Sequence, residues 1–376
     1  MRVAIVQRAL RAYRSGFYEA LRDDLARTGI RLDLYQSTPP AELDPRDDPL
    51  DISWSQRLAV RRIPIGGQRL IWQPLVPELK RAQLVVVEQA ADLALNYRLL
   101  LRQRLGKVRL AFWGHGQSFA PDANRSAEWL KAWFSRRAHW WFAYTDRSAG
   151  IVEGLGFDRD RITVVNNTID TAALARDLEA VRGERADRLR ASLSLGDGPV
   201  GLFIGTLRPD KGIDVLLDAA ARIHAQREDF RLLVVGSGAM EAEIRDRAAH
   251  EPWLHYLGPR YGPERAEVLA IADLLLLPGW VGLAIIDSFV AGVPLVASRD
   301  RPHPPEIAYL RDRENGLLVA DGGRGDAYAD AVIELLADPA LMHELREGCA
   351  QAATAYALDA MVRRFADGIR QALAPS

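Results

Sequence analysis

Residues 273–298 read DLLLLPGWVGLAIIDSFVAGVPLVAS. The run Leu274 to Leu277 is continuously apolar, as a strand buried on both faces of a parallel sheet requires. Pro278 and Gly279 end it, and a turn through Gly279-Trp280-Val281-Gly282 follows. Leu283 to Ala291 is long enough for a short helix, with Gly292 placed as its stop and Pro294 just beyond. Val293 to Ala297 is the next apolar run. The stretch is strand, glycine turn, helix, glycine stop and strand, which is the α/β pattern. A helix entered through glycines leaves N–H groups free at its positive end, where anions bind. Asp287 falls on the first turns of that helix, within reach of sugar hydroxyls lying across its start. An ordinary crossover with a carboxylate suited to the helix dipole accounts for the same spacing.

Working outward, 376 residues are too many for one typical core, and two domains are expected. A net charge of −1, from 49 basic and 50 acidic residues, gives no reason to expect nucleic acid. The single cysteine, Cys349, excludes an internal disulfide and a cysteine-based zinc site and fits a reducing compartment. The first residues run straight into a strand-like segment too short for a signal peptide, and no stretch is apolar enough to span a bilayer. These features predict a cytoplasmic protein that can rest on a membrane.

Strand-like and helical segments alternate along the whole chain. Strands are expected at 2–7, 30–35, 58–65, 84–87, 109–113, 140–144 and 162–165, with helices at 8–28, 93–105, 128–137 and 146–154 between them. A Pro- and Asp-rich loop occupies 37–50, and Gly66-Gly67 breaks the strand before it. Residues 171–197 are helical, charged and weakly periodic, as a connector would be. A second set follows, with strands at 199–204, 231–235, 254–257 and 317–319 and helices at 212–226, 239–249, 263–270, 326–336 and 339–354. A long last helix, 356–373, carries Met361, Phe365, Ile369 and Leu373 as one apolar stripe. The pattern predicts two doubly wound parallel sheets.

Candidate sites sit where strands end. Gly205-Thr206-Leu207-Arg208-Pro209-Asp210-Lys211-Gly212 closes a buried strand and opens a helix. Arg208 and Lys211 there can grip a diphosphate, one by a fork and one as a point charge, or form a solvated loop with a surface ion pair. The turn Gly236-Ser237-Gly238 is not followed by the third glycine of a dinucleotide fingerprint, so it reads as close backbone approach to a ligand. His115 lies between two glycines at the end of the strand LAFW, where open α/β sheets bind ligands, and no metal-ligand spacing surrounds it. Trp129, Trp133, Trp140 and Trp141, interleaved with Lys131, Arg136 and Arg137, are either core residues or a face for an anionic membrane or an acceptor.

In order along the chain, LRAYRSGFYEAL, FWGHG, VVNNTID, GTLRPDKGIDVLLDA, LLVVGSGAMEAEI, HYLG, the opening stretch and ENGLLV resemble the retaining glycosyltransferases of family 4, also called group 1. The resemblance covers nearly the whole chain and is strongest from 200 to 320. It implies a GT-B fold: two Rossmann-like domains, 1–175 and 195–355, facing across a cleft, with the last helix, 356–374, packing back on the first.

It further implies transfer of a sugar, with retention and without a metal, from a UDP- or GDP-sugar to a glycan or lipid-linked acceptor. The setting would be cell-surface polysaccharide or glycolipid synthesis in the cytoplasm, and the tryptophan and basic cluster adds the expectation of contact with anionic lipid at the inner face of the cytoplasmic membrane. No cofactor beyond the donor substrate is implied. On this reading Lys211 and Arg208 hold the diphosphate beside Gly205, Thr206, Gly236 and Gly238. The N–H groups of Gly282 and Leu283 bind phosphate, Asp287 accepts from the ribose, His115 lies against the transferred sugar, and Tyr13 and Arg14 are on the acceptor side. Three positions depart from the family. Its Glu-x7-Glu motif falls on Gly279 and Asp287, an arginine is replaced by Thr206, and a Gly-Gly loop is replaced by Ala12-Tyr13-Arg14. An inactive nucleotide-sugar-binding protein and an epimerase or phosphorylase of the same fold are the rival readings.

Overall fold

The computed structural model describes residues 1–37, 52–65, 68–117, 125–322 and 325–375. Nearly all of the loop expected at 37–50, the Gly66-Gly67 break and the side chain of Lys131 lie outside that description. The chain forms two compact units: Met1–Asp170 with Leu358–Ser376, and Thr171–Ala357.

The first unit is built on a parallel sheet of seven strands: β1 (Arg2–Gln7), β2 (Arg31–Gln36), β3 (Gln56–Arg57), β6 (Leu84–Glu88), β7 (Arg109–Gly114), β8 (Trp140–Ala143) and β9 (Ile162–Val164). Their order is β3-β2-β1-β6-β7-β8-β9, so the connections reverse direction between β1 and β6. The expected strand at 58–65 is not in this sheet. It forms β4 (Arg61–Ile65), which pairs antiparallel with β5 (Gln68–Trp72) as a separate hairpin. Pro64 has no N–H to donate, which suits such a two-stranded piece better than a central strand.

One face of the sheet is covered by α1 (Ser15–Arg27) and by the C-terminal helix α14 (Leu358–Leu373). The helix expected from residue 8 begins only at Ser15, after a 3-10 turn over Ala12–Arg14 and with no side-chain cap. The stripe of α14 is buried here. Phe365 stacks on Phe142 with ring centroids 4.1 Å apart and meets Trp113 edge-on at 4.9 Å. Arg370 pairs with Asp24 of α1, and Arg109 Nη1 donates to the carbonyls of Ala372 and Ala374, both at 2.8 Å, capping the end of α14. The opposite face packs on α2 (Pro77–Arg81), α3 (Ala94–Arg104), α4 (Arg125–Ser135) and α5 (Asp146–Gly154).

The second unit has a six-stranded parallel sheet: β10 (Val200–Ile204), β11 (Arg231–Val235), β12 (Leu254–Gly258), β13 (Leu274–Leu276), β14 (Leu295–Ser298) and β15 (Gly316–Val319). Its order, β12-β11-β10-β13-β14-β15, is the dinucleotide-fold order, with the reversal between β10 and β13. Strands β10 and β13 are buried throughout, as their unbroken apolar sequence demands. The charged segment expected as a connector forms α6 (Thr171–Val181) and α7 (Glu184–Ser192). Both pack on α10 (Gly262–Ala270) within this unit. The remaining helices are α8 (Ile213–Gln226), α9 (Glu241–His250), α11 (Ala284–Ala291), α12 (Gly325–Leu336) and α13 (Pro339–Ala355). Cys349 of α13 is buried, and burial pushes its thiol up to about 12, which leaves it unreactive.

Candidate active site

In the second unit, the turns after β10, β11 and β13 meet at the carboxyl edge of the sheet, beside the β10/β13 reversal where open α/β sheets place their ligands. The turns are laced by backbone bonds. Gly205 N donates to Val235 O at 3.0 Å and Leu207 N to Ser237 O at 2.9 Å. Gly236 has φ of +144°, and a Cβ there would lie 1.8 Å from the carbonyl oxygen of Gly205. A Cβ on Gly238 would likewise meet Leu207 O at 2.4 Å. The close approach expected at Gly236-Ser237-Gly238 is therefore made to the neighbouring turn.

Lys211 rises from this base. Its Nζ donates to the carbonyl of Trp280 at 2.5 Å, and its chain end lies over Gly205. Burial lowers its ammonium from 10.5 to about 8; Asp210 opposes that shift and Arg208 adds to it. Arg208 is half-exposed and its fork is held by Asp210, with Nε at 3.0 Å from Oδ1. Thr206 sits half-buried between these turns.

The β13–α11 turn is bound to the Lys211 loop by its backbone. Gly279 N donates to Lys211 O at 2.9 Å and Trp280 N to Asp210 O at 3.0 Å. A Cβ on Gly279 would lie 2.4 Å from both Asp210 O and the Lys211 carbonyl carbon. No side chain fits there, so this turn as packed cannot hold a carboxylate at the first Glu-x7-Glu position. Gly282 turns the chain with φ of +62°, and Leu283 starts α11 with no side-chain cap on its first N–H groups. Asp287 is buried on α11 and pairs with Arg265 of α10. Burial raises its carboxyl above the ordinary value although Arg265 pulls the other way, so desolvation outweighs the pairing.

In the first unit, a cavity of about 470 Å³ opens at the carboxyl ends of β1, β6 and β7 and is lined by Arg8, Arg11, Arg14, Glu88, His115 and Tyr144, among others. The His115 ring lies 4.3 Å from that of Tyr144, and its Nδ1 is 3.3 Å from the Ser148 hydroxyl. Arg14 is buried. It donates to the Tyr144 hydroxyl at 2.9 Å and to Asn167 Oδ1 at 3.4 Å, with its guanidinium 4.6 Å from the Trp113 ring centre and 5.3 Å from that of Tyr13. Burial pushes the Tyr144 phenol up to about 12, so it stays neutral. A larger cavity, about 570 Å³ and lined by Arg22, Gly29, Arg31 and Trp54, lies by the start of β2, away from these strand ends.

Sequence reasoning named His115, Tyr13 and Arg14 but not Tyr144, Trp113 or Asn167, which surround them. Trp113 lies in FWGHG and Asn167 in VVNNTID, while Tyr144 directly follows β8; only folding brings them to one guanidinium. Arg265, the partner of Asp287, carried no signal. The tryptophan cluster divides: Trp140 and Trp141 are core, while Trp129 is 69% and Trp133 39% exposed, the latter under the Arg137 guanidinium at 3.9 Å.

Known proteins match on both halves. Residues 18–173 match the family model described as Glycosyltransferase Family 4, and residues 198–338 the one described as Glycosyl transferases group 1. The chain is 34% identical over 239 residues to a D-inositol 3-phosphate glycosyltransferase of Acidothermus cellulolyticus, a match covering 60% of this chain and 51% of that protein. It is 30% identical over 280 residues to D-inositol 3-phosphate glycosyltransferase 2 of Catenulispora acidiphila, covering 70% and 62%. The matched part thus spans about half the length of these curated relatives. The crystal structure of Anabaena HepE in complex with UDP superposes with a TM-score of 0.68 at 16% identity, covering 99% of this chain and 100% of that one. The chain belongs to the group 1 (family 4) glycosyltransferases, and its fold is GT-B. Among the described residues, no helix is long and apolar enough to cross a membrane.

Proposed function

We propose that this protein transfers a sugar, with retention, from a nucleoside diphosphate sugar to a glycan or lipid-linked acceptor in cell-surface polysaccharide or glycolipid synthesis. The observation that carries the reading is Lys211: a half-buried amine held below its ordinary pKa, over a glycine turn at the strand-order reversal. A diphosphate bound there favours the charged form of the amine, and the interaction strengthens as the leaving group gains charge in the transition state. The uncapped N–H groups at Leu283 and the start of α11 add to it. Arg208 contributes by exchanging Asp210 for phosphate. Asp287 serves the ribose hydroxyls with Arg265 fixing its position, and His115, its ring tilted against that of Tyr144, lies against the transferred sugar. Tyr13 and Arg14 face the acceptor. The chemistry assigned to these groups uses no metal.

UDP is the nucleotide we favour, because the structural neighbour HepE binds it. Exposed Trp129 and Trp133, with Arg136 and Arg137 beside them, support peripheral contact with an anionic membrane at its cytoplasmic face. The test is calorimetric titration of UDP and GDP into wild type and Lys211→Ala, followed by NMR of the anomeric proton of the product formed from UDP-sugars. Tight UDP binding that Lys211→Ala abolishes, with a product of unchanged anomeric configuration, is expected. Inversion overturns the retaining mechanism, and binding indifferent to Lys211 overturns the site.

A further inference from the structure

The Arg14 guanidinium is a buried positive charge. Its exposure is only 8%, and among the described residues no carboxylate pairs with it. The groups around it are neutral: the Tyr144 hydroxyl, the Asn167 side-chain oxygen and the rings of Trp113, Tyr13 and Tyr144. Among the described residues, its buried Nε has no hydrogen-bond partner. The contrast with Arg8 in the same cavity is direct. Arg8 is neutralised twice, by Glu88 at 3.3 Å and by Asp92 at 2.5 Å. Burying a cation without a counter-charge is costly, and cation–π contacts with three rings offset only part of that cost. A protein built for stability alone would place an apolar side chain or a carboxylate here. Arg14 instead lines an open cavity of about 470 Å³ at the ligand-binding end of its sheet.

We infer that this cavity takes an anionic group of the acceptor, a carboxylate or a phosphate, and that Arg14 is its counter-charge. The inference rests on the glycosyltransferase reading and narrows it: the acceptor is acidic. Arg suits the task because its planar fork engages both oxygens of a carboxylate or phosphate and stacks on aromatic faces at the same time. The rings and Asn167 hold the fork in place before the ligand arrives, so little side-chain freedom is lost on binding.

The experiment titrates inorganic phosphate and, separately, glucuronate into the full chain, with UDP as an independent probe of the Lys211 site. Wild type is expected to bind at least one of the two anions; phosphate alone assigns a phosphorylated acceptor and glucuronate alone a uronic acid. Arg14→Met is expected to weaken that binding at least tenfold, to leave UDP affinity within twofold, and to melt no lower than wild type, since an uncompensated buried charge is gone. Arg14→Gln keeps donors for Tyr144 and Asn167 without the charge and is expected to lose the anion equally; it decides the matter if Arg14→Met does not fold. Either neutral variant binding the anion as wild type does, or wild type binding UDP but neither anion, overturns the inference. Failure of wild type to bind UDP overturns the functional reading instead.

Discussion

The carboxyl ends of the two sheets are built of opposite materials. In the second unit the strand ends are furnished by backbone: Gly205, Gly236, Gly238, Gly279 and Gly282 form or lock the turns, and Lys211 is the half-buried cation raised above them. In the first unit the corresponding end is furnished by large side chains, Arg14, Trp113, His115 and Tyr144, around an open cavity. The difference matches what each is proposed to hold. A diphosphate is the same in every donor, and backbone N–H groups with one point charge suffice for it. An acceptor differs from one enzyme to the next, and side chains can change without rebuilding a turn.

The largest effect expected from breaking this comparison comes from deleting α14. Truncation after Ala357 strips Met361, Phe365, Ile369 and their neighbours from one face of the first sheet. At about 1.5–3 kcal/mol per large apolar side chain, the loss exceeds the stability of an ordinary domain. Circular dichroism and solubility should show the first unit unfolded, while the second, with its own core, still binds UDP.

Lys211→Ala should cost about 2–5 kcal/mol in nucleoside diphosphate affinity or transition-state stabilisation. A pH series sharpens it. Burial holds the Lys211 amine at about 8 in the free protein, below its ordinary 10.5, and a bound diphosphate favours the charged form. Binding therefore takes up a proton above about pH 8, and affinity should fall as pH rises beyond that value. For folding the sign is reversed. The unfolded chain holds the proton between about 8 and 10.5 where the folded one does not, so this group makes stability rise with pH across that window. Calorimetry and denaturant melts at several pH values read both, and Lys211→Ala should remove both dependences.

Gly279→Glu tests whether the missing carboxylate can be restored. With backbone 2.4 Å from the new Cβ, the expected outcome is a loss of about 3 kcal/mol in stability, seen as a lowered melting temperature, and no gain in turnover. A stable, faster variant would show that the turn is adaptable and would weaken the contrast between the units.

Arg265→Met leaves Asp287 buried without its partner. The expected cost is about 2 kcal/mol, below the full cost of breaking a buried pair, because Arg265 is partly exposed and the Asp287 carboxyl, already raised by burial, can take a proton instead. If Asp287 also serves the ribose, this variant should discriminate less between ribose and 2′-deoxyribose donors; equal losses for both confine the pair to a structural role.

The smallest effect on the fold belongs to the outer face of the first unit. Replacing exposed Trp129 and Trp133 by Ser should change stability by no more than about 0.5 kcal/mol. Co-sedimentation with anionic vesicles at low salt should nevertheless fall, and unchanged co-sedimentation would assign the membrane contact elsewhere.

The sequence by itself determined the parts that depend on neighbours along the chain. Unbroken apolar runs such as Leu274 to Leu277 can satisfy both buried faces of a parallel strand, glycines such as Gly292 stop helices, and the order of the glycine turns carries the family. The apolar stripe of α14 was equally plain, because helical periodicity is local. Tertiary structure decided what depends on distant residues. It placed Arg265 against Asp287, and Trp113, Tyr144 and Asn167 around Arg14. It also revealed that Gly236 makes room for Gly205 and that Gly279 makes room for Asp210 and Lys211. A glycine in a sequence announces that space is needed but not for what, and a charged residue announces a partner but not which one. Those partners come together only when strands far apart in the chain lie side by side, and that is settled by packing.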